Sequence, residues 1–434
     1  SLGSGGSIWS NAYNTVIENS KFRNNQASSN GGGIGVLGAV VMIKNTKVNG
    51  NTSLNGSGGG LSCEVDSIVI QNVIVSENAT NQKGGGIYVS TDNPILLVSH
   101  SQFNLNTSQG AGGGIYTVSG GSGSTHIDIM FSSIDSNYSN NYGGAMYSLS
   151  YGLSNINVQD SRIIGNTSWS NGAGFYCFNS NYSPSGIVLN ILRSTMAFNT
   201  SMYGDMGAIG CYSHKSSTIN LIKSTITNNS AGGSGGGVFT FSETDTAILN
   251  VKNSTFVHNS AQGNGGGIMG YSVSSQLQAR TIINFESSIF GLNFGTEIYN
   301  LNTPSFSSQG YNVFSSNSLA HTISTDIVGR DSTSINLSVL KNNGGIVPTK
   351  IPLFSSSAIN AGNPSDLSNA QNGVINGVRD AGAAEGCNIY QVDYQTACDS
   401  FTWINGQTYY QSSIGDQLVY PAHNGCDSVV VLDL

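Results

Sequence analysis

Apolar residues alternate with polar ones in short bursts along the first two-thirds of the chain: Ile68-x-Ile70, Leu96-x-Val98, Ile127-x-Ile129, Ile156-x-Val158, Leu189-x-Ile191, Ile219-x-Leu221 and Leu249-x-Val251. A period of two sends successive side chains to opposite faces, so each burst predicts a β-strand. Two landmarks recur with the bursts. One is a glycine cluster ending in an apolar residue, at Ile34, Leu61, Ile87, Ile115, Met146, Phe175, Ile209, Val238 and Ile268, with degenerate copies ending at Ile8 and Ile298. The other is an apolar residue three positions before an Asn: Phe22 with Asn25, Val48 with Asn51, Val75 with Asn78, Phe103 with Asn106, Ile134 with Asn137, Ile163 with Asn166, Met196 with Asn199, Ile226 with Asn229 and Phe256 with Asn259.

The glycine landmarks are spaced by 26 to 34 residues, the behaviour of stacked coils whose outer loops vary in length. Each repeat therefore predicts three short strands: one after the glycines, one at the alternating pair, one entering at the residue before the Asn. A lone coil cannot bury its apolar face, whereas stacked coils bury a continuous core. The expectation is an all-β protein, a right-handed parallel β-helix of about 11 coils over residues 1–305. Glycines suit corners that need positive φ or close backbone approach. The asparagines, at coil spacing of about 4.8 Å, suit a ladder of side-chain amides running along the axis, from Asn25 through to Asn229 and Asn259.

Six of these asparagines, Asn51, Asn78, Asn106, Asn137, Asn166 and Asn199, also match the N-glycosylation acceptor pattern. The match recurs because the repeat recurs, and an inward Asn is closed to a glycosyltransferase.

From about residue 306 the repeat lapses. The stretch Leu337-x-x-Leu340-x-x-Asn343-Gly344-Gly345, Pro348-Thr349, Ser357-Ala358-Ile359-Asn360-Ala361-Gly362-Asn363-Pro364 and Arg379-Asp380-Ala381-Gly382-Ala383-Ala384-Glu385 resembles the closing region of bacterial surface β-helix proteins labelled choice-of-anchor domains. Residues 306–387 are thus expected to cap the stack, because an open end exposes unpaired N–H and C=O groups. The glycine and Asn landmarks are similar to the repeats of polymorphic outer-membrane proteins, which are autotransported adhesins. That family ends in a transmembrane barrel with no counterpart here, so the resemblance carries no export route.

Residues 388–434 hold five acidic and no basic side chains, against 13 and 11 in residues 1–305, which marks a boundary. Cys398-Asp399-Ser400-Phe401-Thr402-Trp403, closing with Gly425-Cys426-Asp427-Ser428 and the run Val429 to Leu432, resembles small β modules of Bacteroidota surface proteins exported by type IX secretion. A small β-sandwich-like module is the expectation. If Cys398 and Cys426 pair, the loop of about 28 residues would contribute roughly 3 to 4 kcal/mol.

Charged residues are only 9% of the chain and the net charge is −8, which disfavours nucleic acid and anionic membrane as partners. No apolar run is long enough to span a bilayer. The chain opens inside a glycine corner and closes on a strand, so a processed protein or a segment of a longer one is expected, secreted or on a cell surface.

Candidate chemistry is sparse. Asp66 and Asp92 each fall five residues past a landmark, either a weak Ca²⁺ site on adjacent coils or exposed turn residues. No other cofactor is suggested. Cys63, Cys177 and Cys211 sit two past a landmark and point inward, with Cys177 and Cys211 in consecutive coils, either a metal or redox pair or small core residues, the latter favoured because no His or Cys at metal-ligand spacing accompanies them; Cys387 has no assigned partner. The six histidines are scattered singly, with His258 a turn residue beside a ladder Asn. The strings of a polygalacturonase-like enzyme are missing.

The residue after each landmark points away from the coil interior. It is Tyr88, Tyr116, Tyr147 and Tyr176 in four consecutive coils, with Trp9, Phe239 and Tyr299 elsewhere. Such rings form a flat strip that binds a glycan or a protein, or else merely cover and stiffen the coil. The expected function is a non-catalytic extracellular or cell-surface structural and adhesive protein, a segment of a larger adhesin or fibre whose partners are glycan, protein or copies of itself. The alternative is a secreted β-helix polysaccharide lyase or hydrolase.

Overall fold

A computed structural model describes residues 3–180, 183, 185–273, 280–301, 304–317, 322–374, 378–386, 389–420 and 428–434. Three parallel sheets of 11 strands each run the length of a stack of coils. Sheet 1 begins at Ile8–Ser10 and ends at Ile298–Leu301, sheet 2 runs from Asn14–Glu18 to Pro304–Ser308, and sheet 3 from Lys21–Arg23 to Val313–Phe314. Coils are numbered 1 to 11 in chain order below. A fourth sheet of nine two-residue strands, Gln26–Ala27 to Ser260–Ala261, follows each ladder Asn. The two-residue strands were not anticipated, since two residues are too few to show alternation.

The interior is built from one face of each strand. In coil 4, Ile87 and Val89 from sheet 1, Leu96 and Val98 from sheet 2, and Phe103 from sheet 3 all point inward and are at most 1% exposed. Register repeats this set coil after coil, with Ile87 against Ile115, Leu96 against Ile127, and Phe103 against Ile134. Burying each such side chain is worth about 1.5 to 3 kcal/mol, so the core grows with every coil added.

Corner glycines act as their positions require. Gly112 has φ +71, and a Cβ on the next residue, Gly113, would lie 2.4 Å from the Gly144 carbonyl oxygen and 2.6 Å from that of Tyr138.

The asparagine ladder forms as expected and extends one coil beyond the predicted set, from Asn25 through Asn259 to Asn293. In the middle of it, the Asn166 Nδ2 donates to Asn199 Oδ1 (2.9 Å) and to the Ile134 carbonyl (2.8 Å). Its Oδ1 accepts from the Asn137 N–H (2.9 Å) and Asn137 Nδ2 (2.9 Å). All four bonding directions of the amide are used. Two coils on, Asn229 repeats the pattern. Its Nδ2 donates to Asn259 Oδ1 (2.9 Å) and to the Met196 carbonyl (3.0 Å), and its Oδ1 accepts from the Asn199 N–H (3.1 Å) and Asn199 Nδ2 (2.9 Å). Asn229 Nδ2 also reaches the Thr227 carbonyl at 3.1 Å, a contact that Asn137 and Asn259 make to their own strands as well. The sequon asparagines are 0 to 1% exposed, which closes them to modification.

A second, unanticipated column stands at the corner between sheets 2 and 3, where the hydroxyls of Ser101, Ser132, Ser161, Ser194, Ser224, Ser254 and Ser288 each accept a backbone N–H from the preceding coil at 3.0 to 3.2 Å. A third lies on the outer face of sheet 2. Asn157, Asn190, Asn220, Asn250 and Asn284 donate coil to coil at 2.7 to 2.8 Å, starting from Asp128.

The closing region corrects the picture of a simple plug. Only a short piece meets the end of the stack: Ile327 bridges Val313, and Asp326 accepts from the N–H and Nδ2 of Asn312 at 3.1 and 3.0 Å. The rest turns back and lies against the outer face of sheet 3. Thr195 donates to the Pro348 carbonyl, Gln371 bonds Ser194 and Thr225, and Ala383 donates to Thr255. Ile335, Ala358 and Ala381 pack on Val257, Ile289 and Val313. Outward residues of sheet 3 are accordingly small or β-branched in coils 7 to 11 (Thr, Ala, Val, Ile and Gly291) and buried, Thr195, Ala197, Thr225 and Val257 being 0% exposed. Covering a side face buries far more apolar surface than covering one end, which is why the segment runs along the rod.

In the C-terminal module, Ile389–Tyr394 pairs parallel and Ile414–Tyr420 antiparallel with Ser428–Asp433. A hairpin of Phe401–Thr402 and Thr408–Tyr409 adds Trp403 and Tyr409 to a small core with Leu432. This is a mixed sheet plus a hairpin, because each element is too short to build a second layer. Cys398 is exposed, and Cys426 and Cys387 lie outside the described residues, as does the pairing of Cys398 with Cys426.

Candidate functional site

The predicted tyrosine row exists and stacks. Tyr88 and Tyr116 stand 5.4 Å apart at 14°, Tyr116 and Tyr147 5.3 Å apart at 19°, and Tyr147 and Tyr176 5.3 Å apart edge to face. Register in sheet 1 produces this, Tyr88 opposing Tyr116, Tyr147 and Tyr176 in turn.

The row is not an open strip, however. Tyr116, Tyr147 and Tyr176 are 2, 9 and 6% exposed, and Tyr88 is half-buried. The turns that lead into each glycine corner fold over them. Ala111, Tyr142 and Met206 pack on the rings, with Tyr142 lying 5.9 Å from Tyr147 and 5.5 Å from Tyr176. Lys83 adds its ammonium 5.1 Å above Tyr116. Where the row lacks a side chain, at Gly210, Met206 fills the gap so closely that a Cβ there would be 2.1 Å from its sulfur. Burial holds the Tyr116, Tyr147 and Tyr176 phenols above their ordinary range. These tyrosines point away from the lumen yet form a second core.

The surface that remains open is the next outward row, two residues further along each strand. Val118, Leu149, Phe178, Tyr212, Phe241 and Tyr271 oppose one another in consecutive coils. Phe178 and Tyr212 stack at 5.3 Å, Tyr212 and Phe241 at 4.1 Å, and Phe241 and Tyr271 lie tilted at 5.2 Å. All but Phe241 are partly exposed. His214 sets its ring edge-on to Tyr212 at 5.7 Å and pairs with Glu243. Sequence reasoning passed over this row because only the position next to the glycines was compared. The signal was present at landmark plus three.

Asp66 and Asp92 do not stack. Sheet 1 aligns Leu61 with Ile87, whereas sheet 2 aligns Ser67 with Ile95, so two extra residues between them carry Asp92 out of register and set Asp66 level with Pro94. Asp66 instead accepts from the Thr91 hydroxyl at 2.8 Å. No group of three or more metal-type side chains occurs among the described residues.

Cys63, Cys177 and Cys211 are fully buried. Cys177 opposes Cys211 directly, and burial pushes the Cys63 thiol up to about 12. His258 is a turn residue with φ +59, as expected.

The most strongly perturbed carboxylates belong to the closing segment. Arg379 lies 3.7 Å from Glu385 and 3.9 Å from Asp366, and Glu385 accepts from the Asp380 N–H at 3.1 Å. Burial first, then the charge of Asp380, pushes Glu385 up to about 7. The cluster ties loop to loop under the surface.

No helix among the described residues is long and apolar enough to cross a membrane. The fold and the faces described define a parallel β-solenoid with ring-bearing outer rows. No protein-family description, curated protein or solved structure matches the chain.

Proposed function

We propose that this chain serves as a non-catalytic structural and adhesive rod, secreted or displayed on a cell surface as a segment of a larger adhesin or fibre. Ten steps of about 4.8 Å make the stack about 50 Å long. Its polar side chains are spent on one another: the inner asparagines, the corner serines and the outer asparagines all bond along the axis. That arrangement favours stiffness over chemistry.

The observation that carries the adhesive part is the partly exposed row Phe178, Tyr212 and Tyr271 on a sheet that holds the rings in line. Rings fixed at coil spacing offer flat apolar area with little ordering cost, which suits the faces of sugar rings or an apolar strip of a protein. Binding of the intact chain to an immobilised glycan array, repeated with Phe178→Ala and Tyr212→Ala, tests the reading. The expected result is retention of particular glycans by the native chain and at least about tenfold weaker retention by both variants. Equal retention by the variants removes the row from the reading, and shortening of a bound polysaccharide overturns the non-catalytic part.

A further inference from the structure

Sheet 3 has two halves. In coils 7 to 11 its outer face is covered by the chain's own closing segment, and in coils 1 to 6 the same face carries no such segment among the described residues, its outward side chains being exposed or half-buried apart from Ser133. The cover stops at Ile346 and Val347, which stand at the rim of an open depression over coils 4 to 6 that His100, Gln102 and Ser133 help to line. The bare half is a straight polar strip about 24 Å long, five coil steps of about 4.8 Å. It continues an interface that an extended chain segment already occupies.

The strip is electrostatically lopsided. Lys21 and Lys47 oppose each other directly in register, and Arg23 lies two residues along the same face. All three are exposed. Like charges placed opposite one another on a sheet destabilise it, and among the described residues no carboxylate forms an ion pair with any of the three. Lys44 stands at the nearby end of sheet 2; the neighbouring acids are Glu18, beside it, and Glu77, at the following corner. Further along the strip Asp135 is neutralised by Arg162 at 2.8 Å. In a chain of net charge −8, unpaired positive charge on the strip gathers at coils 1 and 2.

The three cations surround an open depression of about 290 Å³ that Asn49, Ile74 and Ser76 complete. Beyond it the strip carries amides and hydroxyls. Asn104 Oδ1 and the Ser133 hydroxyl are buried atoms on it with no hydrogen-bond partner among the described residues, and Ser133 is 7% exposed. They lie beneath the longer side chains of the strip, and a hydroxyl-bearing ligand that displaces those side chains would satisfy them.

We infer that the bare half of sheet 3 is a binding strip for an acidic polysaccharide, a linear glycan whose carboxylate or sulfate groups meet Lys21, Arg23 and Lys47 while its hydroxyls lie along coils 3 to 6. A nucleic acid strand fits less well, since its evenly spaced phosphates ask for cations along the whole strip and this one has them at one end. The strip is separate from the ring row on sheet 1 and rests on the proposed adhesive role only in sharing a glycan as partner.

The test measures binding of the intact chain to fluorescent oligogalacturonate, a heparin-derived oligosaccharide, neutral dextran and oligo(dT) at low and moderate ionic strength, alongside Lys21→Gln/Lys47→Gln and Gln102→Ala. All three substituted residues are exposed, so folding is retained. The inference expects one or both acidic glycans to bind, weakening with salt, with the double variant at least about tenfold weaker and dextran unbound. Preference for oligogalacturonate identifies carboxylate recognition, and preference for the heparin fragment identifies sulfate. Longer oligomers bind more tightly than short ones, a gain that Gln102→Ala reduces. Equal binding by the double variant, tighter binding of oligo(dT), or no binding of either acidic glycan overturns the inference. Chain length of the glycan is read after incubation: bound but shortened glycan upholds the strip and refutes the non-catalytic role.

Discussion

Replacing Asn166 by Ala removes the centre of the inner ladder, and the structure sets the size of the effect. Four hydrogen bonds of 2.8 to 2.9 Å are lost. The partners fare differently. Asn137 Nδ2 keeps the carbonyls of Phe103 and Asp135, and Asn199 Oδ1 keeps the N–H of residue 166. The Asn137 N–H, by contrast, has its partner in Asn166 Oδ1 and becomes an orphan in the core. One orphaned buried donor costs about 1 to 3 kcal/mol and three merely lost bonds about 0.5 to 1.5 kcal/mol each, together roughly 2.5 to 7.5 kcal/mol. In a stack where each coil touches only its neighbours, the loss concentrates at coils 5 to 7. Hydrogen exchange followed by mass spectrometry should show the Asn137 amide at least about 100-fold faster, the equivalent of about 3 kcal/mol. Asn220→Ala is the matched comparison, since it breaks two bonds of the same kind on the outer face without orphaning a backbone group, and should cost about 1 to 3 kcal/mol while leaving exchange at Asn137 unchanged. Exchange at Asn137 within about threefold of the native rate, or equal effects of the two substitutions, would refute the claim that the inner amides saturate backbone groups.

Gly113→Ala should lower the thermal midpoint sharply, by more than about 3 kcal/mol in stability, because its Cβ would meet two carbonyl oxygens at 2.4 and 2.6 Å. Gly121→Ala, at φ +50 with open space around it, should cost only about 1 kcal/mol, and equal losses in the two melting curves would contradict the close-packing argument. Glu385 is raised from 4.5 to about 7 in the folded chain, so between those values the unfolded state gives up its proton first and stability falls as pH rises. The closing segment should therefore be tightest below about pH 4.5 with respect to this group and lose roughly 3 kcal/mol by neutral pH. Glu385→Gln should be the more stable form at neutral pH and the difference should vanish in acid; denaturant titrations of both proteins across that window that run parallel would exclude the assignment.

The fold was legible because its two signals are independent and interlocked. Alternation named the strands, and the repeating Gly and Asn landmarks placed them one above another, which fixes register without reference to any partner. The outer asparagine column was also within reach, since Asn157, Asn190, Asn220 and Asn250 are the intervening residues of the alternating pairs themselves. Within the coils, what escaped were features of two residues or fewer, such as the fourth sheet and the two extra residues before Ile95 that break the apparent stacking of the aspartates, and beyond the coils it was the path of the closing segment, which has no repeat to place it.

The binding face was legible only in part, for a reason that lies in what alternation measures. Parity tells whether a side chain faces the lumen; it says nothing about whether the outside is itself covered. Tyr147 and Lys47 are both outward by parity, yet Tyr147 is 9% exposed under a turn and Lys47 is bare. The missing information is carried by the kind of residue that holds the outward position from coil to coil. On sheet 3 the series begins Lys21, Lys47, Ile74, Gln102, Ser133, Arg162 and then becomes Thr195, Thr225, Thr255, Ile289. Long charged and amide side chains need water at their tips, whereas a β-branched hydroxyl can be buried once its one donor finds a carbonyl or amide. The change after Arg162 therefore marks where the closing segment ends and the bare strip begins, and it places Lys21, Arg23 and Lys47 on the open side of that line.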